Sequence, residues 1–404
     1  MQISLEQNTM NKILFIETRG MNPTGILKTT IELGYYPWVV TEQREEWQTH
    51  LNEQNINCTL LSVSQLTAQH ILNVLPHRPK AVITLSDQYL EIGAEVAKYL
   101  DLPHTPLEVL ADCRNKYITR KRVSRTTVKQ PNFVKVDNLR QLKSISLADT
   151  VTFPLIFKPL LGHSSLGIHI FFHQAEVDHF FEESSDCFYF PYIIEQFIEN
   201  AEFVSVEGFV DREGIHFLGC SSRLLGGENG CVELGGIFPY KLFETQLYDA
   251  SRAVIPAINM LFGAFHIEYL VHEDNIYLVE INPRFPNGPA PANMSKALGI
   301  DLDSLIIEFF IQGFSKTRPI PTRFSMAKAL YSTQDGIVTS IDFPDNFDAD
   351  IFLSKTLPFT VSRIKSNTDR FGFLIVASDD LSLLDKKMNN IIAKMNVAIL
   401  PSQE

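Results

Sequence analysis

Short apolar runs separated by polar turn signals recur along the chain, and their period predicts the elements. Residues 11–16 (Asn-Lys-Ile-Leu-Phe-Ile) read as a buried strand. A turn from Thr18 to Gly25 follows, then a helix over 26–33 stopped by Gly34, and a strand near 38–41. Residues 81–85 (Ala-Val-Ile-Thr-Leu) form another buried strand, and Ser86-Asp87 cap a helix over 89–100. This βαβ opening predicts a small doubly wound parallel sheet over residues 1–110, whose ligands sit at the carboxyl ends of the strands. Residues 18–25 and Ser86-Asp87 then lie beside a cleft, although plain turn and cap chemistry also accounts for them. The turn has no Gly-x-Gly-x-x-Gly, so it is not read as a dinucleotide site.

A helix opens at Asp112 and runs through 117–123; its dense Arg and Lys read as a solvated face. Strands follow at 153–159 and 168–172, joined by a glycine-bounded, serine-bearing loop that can aim backbone N–H groups at phosphate oxygens. Lys158 interrupts an apolar strand and needs an anionic partner, either a phosphate or a structural carboxylate. Strands at 192–198, 202–210 and 215–218 come next. Residues 224–238 carry five glycines and read as a long substrate loop, with Arg223, Glu228 and Glu233 as its charged candidates. Residues 242–262 have helical spacing, with Pro256 expected to kink the helix or to start a second segment.

The most informative stretch is 265–284, two strands and a tight turn at Glu273-Asp274-Asn275. Alternation puts Glu280 and Asn282 on one face. With Glu268 they form an oxygen set suited to a hard cation such as Mg2+. Arg284 follows and can hold a phosphate or carboxylate in its planar fork. For Glu268 to share that face the turn must have three residues, or a bulge must do the same job. A half-exposed polar hairpin is the plainer alternative.

Proline-rich irregular chain after Arg284 fits a substrate-pocket wall, with helices at 293–298 and 303–314. Residues 319–404 read as a separate α+β lobe: strands at 327–331, 336–341, 360–364 and 373–377, then a helix over 381–395. The lobe has no chemical cluster of its own and covers a site or makes a dimer surface.

Composition narrows the function classes. The chain has 404 residues, 45% hydrophobic and 20% charged, as expected of a globular protein with two or three domains. A net charge of −12 argues against nucleic-acid or anionic-membrane binding. Five cysteines, at 58, 113, 187, 220 and 231, show no Cys-x-x-Cys spacing, so neither a disulfide framework nor a zinc site is expected. The polar first residues lack an apolar signal core, and no apolar run is long enough to span a bilayer. The expectation is a cytoplasmic protein.

Taken in order, Asn115-Lys116, strand Lys158 before the serine-glycine loop, Glu195-Gln-Phe-Ile198 with a later Glu202, and Glu280-x-Asn-Pro-Arg284 resemble the ATP-grasp ligases, most nearly the bacterial dipeptide-forming L-amino-acid ligases. The resemblance covers 111–318 and implies an ATP-grasp fold: an α/β domain (1–110), an ATP-grasp domain (111–318, with a lid subdomain about 125–190) and a C-terminal α+β lobe (319–404). It implies that Lys116, Lys158, His163, Ser164 and Ser165 hold the triphosphate. Glu195, Gln196, Phe197 and Ile198 would form the adenine hinge, and Glu202 would bind ribose. Mg2+, or Mn2+ in its place, would sit on Glu268, Glu280 and Asn282, with Arg284, Lys158 and Arg223 as catalytic groups. The implied reaction joins a small-molecule carboxylate, an amino acid by preference, to an amine through an acyl phosphate. A carboxylase, a purine-biosynthesis-type ligase and a nucleotide-binding module without turnover are the alternatives.

Overall fold

The computed structural model describes residues 11–17, 24–145, 147–161, 167–183, 190–227, 230 and 232–401. β1 (Lys12–Ile16), β2 (Tyr36–Thr41), β3 (Thr59–Ser62) and β4 (Ala81–Ile83) form a parallel sheet in the order β3-β2-β1-β4. All five residues of β1 and all six of β2 are buried, as parallel strands covered on both faces must be. The strand order reverses between β1 and β4, and Asp87 lies just past the carboxyl end of β4.

β5 (Phe133–Val136), β6 (Leu155–Pro159), β7 (His169–Phe171) and β8 (Tyr192–Gln196) form an antiparallel sheet in the order β5-β8-β6-β7. β9 (Glu202–Asp211), β10 (Gly214–Ser222), β11 (Leu224–Gly226), β12 (Val232–Phe238), β13 (Gly263–His272) and β14 (Asn275–Asn282) follow. Four of these make an antiparallel sheet ordered β10-β9-β13-β14. Its apolar face buries Val206, Ile267, Tyr269, Leu278 and Ile281 against Leu247 and Val254 of helix Glu244–Ala257. β15 (Phe324–Leu330), β16 (Gly336–Asp342), β17 (Asp350–Leu353), β18 (Phe359–Val361), β19 (Gly372–Ser378) and β20 (Asn396–Pro401) complete the chain. They supply a sheet ordered β11-β12-β15-β19-β17 and a smaller one ordered β18-β16-β20.

Several expectations are corrected. Residues 224–226 and 232–238 are strands rather than open loop: β11 and β12 pair with each other, and β12 pairs with β15 of the last lobe. The glycines permit that approach. A Cβ on Gly235 would lie 2.0 Å from the Ala327 carbonyl oxygen, and one on Gly236 would lie 2.0 Å from that of Ser222. Pro256 sits in the last turn of its helix, where it forgoes the one bond its missing N–H would make, and starts no second segment; Leu261 is 79% exposed. Helices Arg44–Glu53 and Ala68–Val74 and strands β3, β17 and β20 are additional elements with short or weakly alternating apolar patterns. Among the described residues, no helix is long and apolar enough to cross a membrane.

Gly235→Ala should therefore destabilise the fold by about 2–3 kcal/mol, since its backbone (φ +140) and the Ala327 carbonyl both reject a methyl group. A lowered thermal midpoint relative to Gly230→Ala, which meets open space, would be the readout.

Candidate active site

Register assembles a polar face on an otherwise apolar sheet. In the β13–β14 hairpin His266 pairs with Asn282 and Glu268 pairs with Glu280. In β9, Ser205 lies opposite Glu268 and Glu207 opposite His266. The three-residue turn is not what brings Glu268 across. His272 pairs with Asn275, so the turn is Glu273-Asp274, both at positive φ (47 and 62) as hairpin turns of this length require. The bulge does the work instead: the register shifts between Glu268 and Tyr269, leaving Val279 as the extra residue. Leu278 thereby faces the core beside Ile281, while Glu280 and Asn282 stay on the polar face. Ile276 and Leu278 thus part from Glu280 and Asn282, with which plain alternation grouped them.

The face carries a dense hydrogen-bond network. His266, 3% exposed, has Nδ1 at 3.1 Å from Glu207 Oε1 and Nε2 at 3.2 Å from Glu268 Oε1. Ser205 and Ser221 hydroxyls donate to Glu207 at 2.5 and 3.0 Å. Arg223 reaches Glu268 at 3.5 Å, places Nη2 2.6 Å from His266 Nε2, and donates to Glu233. Burial pushes the His266 imidazole down, but its two carboxylate neighbours outweigh that and raise it. Burial would raise Glu268; His266, Arg223 and Arg284 outweigh it and hold the carboxyl at about 2. His266 and Glu207 were given no role from sequence, although their alternation with Glu268 and Ser205 carried the signal.

Lys116 is the first residue of helix Lys116–Val123, whose cap is the Asn115 side chain, and its Nζ lies 3.5 Å from Glu280 Oε1. Lys158 finds a structural carboxylate: its Nζ donates to Glu195 Oε2 at 2.7 Å. Glu195 is fully buried, and its other oxygen accepts from Arg120 Nε at 2.6 Å. Arg120 is 2% exposed, contrary to the solvated face expected of its basic run, and also donates to the Val279 carbonyl at 3.0 Å. Burial would raise Glu195, yet the two cations bring it from 4.5 to about 2.

At the end of β8 the amides of Gln196 and Phe197 donate to the Asn132 and Pro154 carbonyls, at 2.9 and 2.7 Å. The Ile198 amide makes no such backbone bond among the described residues. Glu202 is exposed, accepts from the Tyr240 hydroxyl, and shares its strand face with Val204 rather than with Ser205. Arg284 is gripped by Asp87 from the first sheet, through Nε at 2.5 Å and Nη2 at 2.7 Å. The last lobe does contribute charge: Arg370 Nη1 donates to the Glu233 carbonyl at 2.8 Å, and Asn367 Oδ1 accepts the Glu233 amide at 2.9 Å. Pro286, Asn287, Gly288, Pro289 and Pro291 line a cavity of about 680 Å3 together with helix Gly25–Glu32. His163, Ser164, Ser165 and Glu228 lie outside the described residues.

Among the described residues no group of three or more His, Cys, Asp or Glu converges as a metal cage. The donors at hand are two carboxylates and one amide oxygen, with cations beside both carboxylates. That set fits Mg2+, which takes one or two carboxylates and completes its shell with water and phosphate oxygens.

An antiparallel sheet carrying Lys158 and Glu195, with Arg120 set against it from helix Lys116–Val123, thus lies next to a second sheet with a carboxylate–amide face. Residues 113–288 match the family model described as ATP-grasp domain, so the chain carries that domain. The L-amino acid ligase from Bacillus licheniformis superposes with a TM-score of 0.80 at 15% identity, over 96% of this chain and 99% of that one. Phosphoribosylglycinamide synthetase from Anaerococcus prevotii gives 0.76 at 18%, over 96% and 100%. By sequence, an uncharacterized protein of Sinorhizobium fredii is 21% identical over 344 residues, 79% of this chain and 68% of that protein. The chain also matches carbamoyl phosphate synthase large chains but spans only a small part of their length; that of Helicobacter pylori is 24% identical over 225 residues, 20% of its length.

The buried Glu195 gives a pH prediction. Its folded pKa is depressed, so its contribution is present above 4.5 and is lost as pH falls towards 2. The contribution is on the order of 3 kcal/mol. Acid titration of thermal stability should show this loss, and Glu195→Gln should be less stable at neutral pH with a flatter acid limb.

Proposed function

We propose that this chain is an ATP-dependent ligase that joins a carboxylate, an amino acid in the first instance, to an amine, releasing ADP and phosphate. The observation that carries the reading is the face of Glu268, Glu280 and Asn282 with Lys116 3.5 Å from Glu280, inside a segment that matches the ATP-grasp domain. Lys116 and Lys158 bind the triphosphate. The Ile198 amide donates to the adenine edge, and Glu202 accepts from ribose hydroxyls. Glu195 acts on the nucleotide through Lys158, since both its oxygens are taken within the protein. Glu268, Glu280 and Asn282 hold Mg2+, which screens phosphate charge. The substrate carboxylate attacks the γ-phosphorus, ADP leaves, and an acyl phosphate forms. The amine nitrogen then attacks the acyl carbon and phosphate departs. Arg284 and Arg223 stabilise the negative charge that develops. The assigned setting is cytoplasmic, with small-molecule substrates.

A second reading, a phosphoribosylamine- or bicarbonate-type ligase on the same site, is supported by the TM-score of 0.76 with the phosphoribosylglycinamide synthetase. Phosphate release from MgATP, screened over amino acids, other carboxylates, bicarbonate and amines, separates the two. The first predicts release only when an amino acid and an amine are both present. Glu280→Gln should lower that release by about a hundredfold or more; unchanged release would remove Glu280 from the chemistry.

A further inference from the structure

The Asp87–Arg284 contact joins residues 197 positions apart. Asp87 opens the short 3-10 helix after β4, and Arg284 lies two residues past the end of β14. The two carboxylate oxygens take the Nε and Nη2 edge of the guanidinium, and Nη1 donates to the Phe285 carbonyl at 3.1 Å. A guanidinium has five N–H donors in one plane. Among the described residues three are engaged, which leaves one on Nη1 and one on Nη2. All three nitrogens are held, which fixes the plane and leaves it little freedom to rotate.

The pair borders the carboxylate–amide face. Asp87 lines the same cavity as Glu280 and Asn282. The Arg284 charge is near enough to act on Glu268. Asp87 is 37% exposed and Arg284 only 11%. A half-exposed pair contributes little to stability, but a two-bond fork fixes direction.

We propose that Asp87 is the positioning residue of this site: reaching over from the first sheet, it orients Arg284 so that its two remaining donors meet the anion formed between the substrate carboxylate and the γ-phosphate. This rests on the ligase reading above. Arg284 touches the reacting atoms, and Asp87 acts through it. The contrary arrangement, in which Asp87 merely occupies Arg284 and must be displaced by substrate, makes the opposite kinetic prediction.

The test uses the full chain with MgATP and the substrate pair found by screening, comparing Asp87→Asn, Asp87→Glu, Arg284→Lys and the Asp87→Asn/Arg284→Lys double variant. Asp87→Asn should lower kcat at least about tenfold while KM for ATP stays within about twofold. Asp87→Glu should recover most of kcat, and the double variant should be no slower than Arg284→Lys alone. An Asp87→Asn enzyme with unchanged or higher kcat and a lower KM for the acid would overturn the proposal in favour of a competing anion. Additive losses in the double variant would overturn it too. Wild-type ATP turnover that ignores acid and amine would remove the ligase reading, and the same four-protein comparison on that turnover would still decide whether Asp87 works through Arg284. A chain with no turnover under any condition would end both.

Discussion

The site depends on the cost of burying charge. Glu195 is inaccessible to solvent and survives as a carboxylate because Arg120 and Lys158 each take one of its oxygens. Removing one partner of such a group typically costs about 3–5 kcal/mol, so the three side chains are locked into one arrangement. Arg120 extends that arrangement to the next sheet by donating to the Val279 carbonyl. Val279 is the bulge residue, and the bulge is what gives Glu280 and Asn282 the same face as Glu268. The lysine and the carboxylate–amide face, on different sheets, are thus held by one arginine.

Much of this was legible in the sequence, for identifiable reasons. The first sheet announced itself through continuous apolar runs, and Glu280, Asn282 and Lys116 through motif spacing. The pairing of Glu268 with Glu280 followed from counting residues across the hairpin, and the count demanded one odd position without saying where. A bulge and a three-residue turn satisfy the same parity. Only Leu278 and Ile281, both needing the core, show that the odd position falls between them.

What stayed hidden were long-range partners. Arg120 sits in a run of basic residues, and nothing local distinguishes the one that turns inward. Asp87 was placed beside a cleft by topology, but its grip on Arg284 spans two sheets. The glycines of 224–238 looked like the freedom of a loop. Gly235 and Gly236 serve the opposite purpose, letting β12 lie against neighbouring carbonyls where any side chain would collide.

That last feature bears on modularity. β12 is encoded well before the final lobe, yet it is laid down as an interior strand of that lobe's sheet, between β11 and β15. A cut near residue 320 would leave it with a bare hydrogen-bonding edge, of the kind that recruits other chains. The C-terminal lobe is therefore not an interchangeable attachment. Recombination that exchanged it would have to carry β11 and β12 along, or evolve both sides of that seam together.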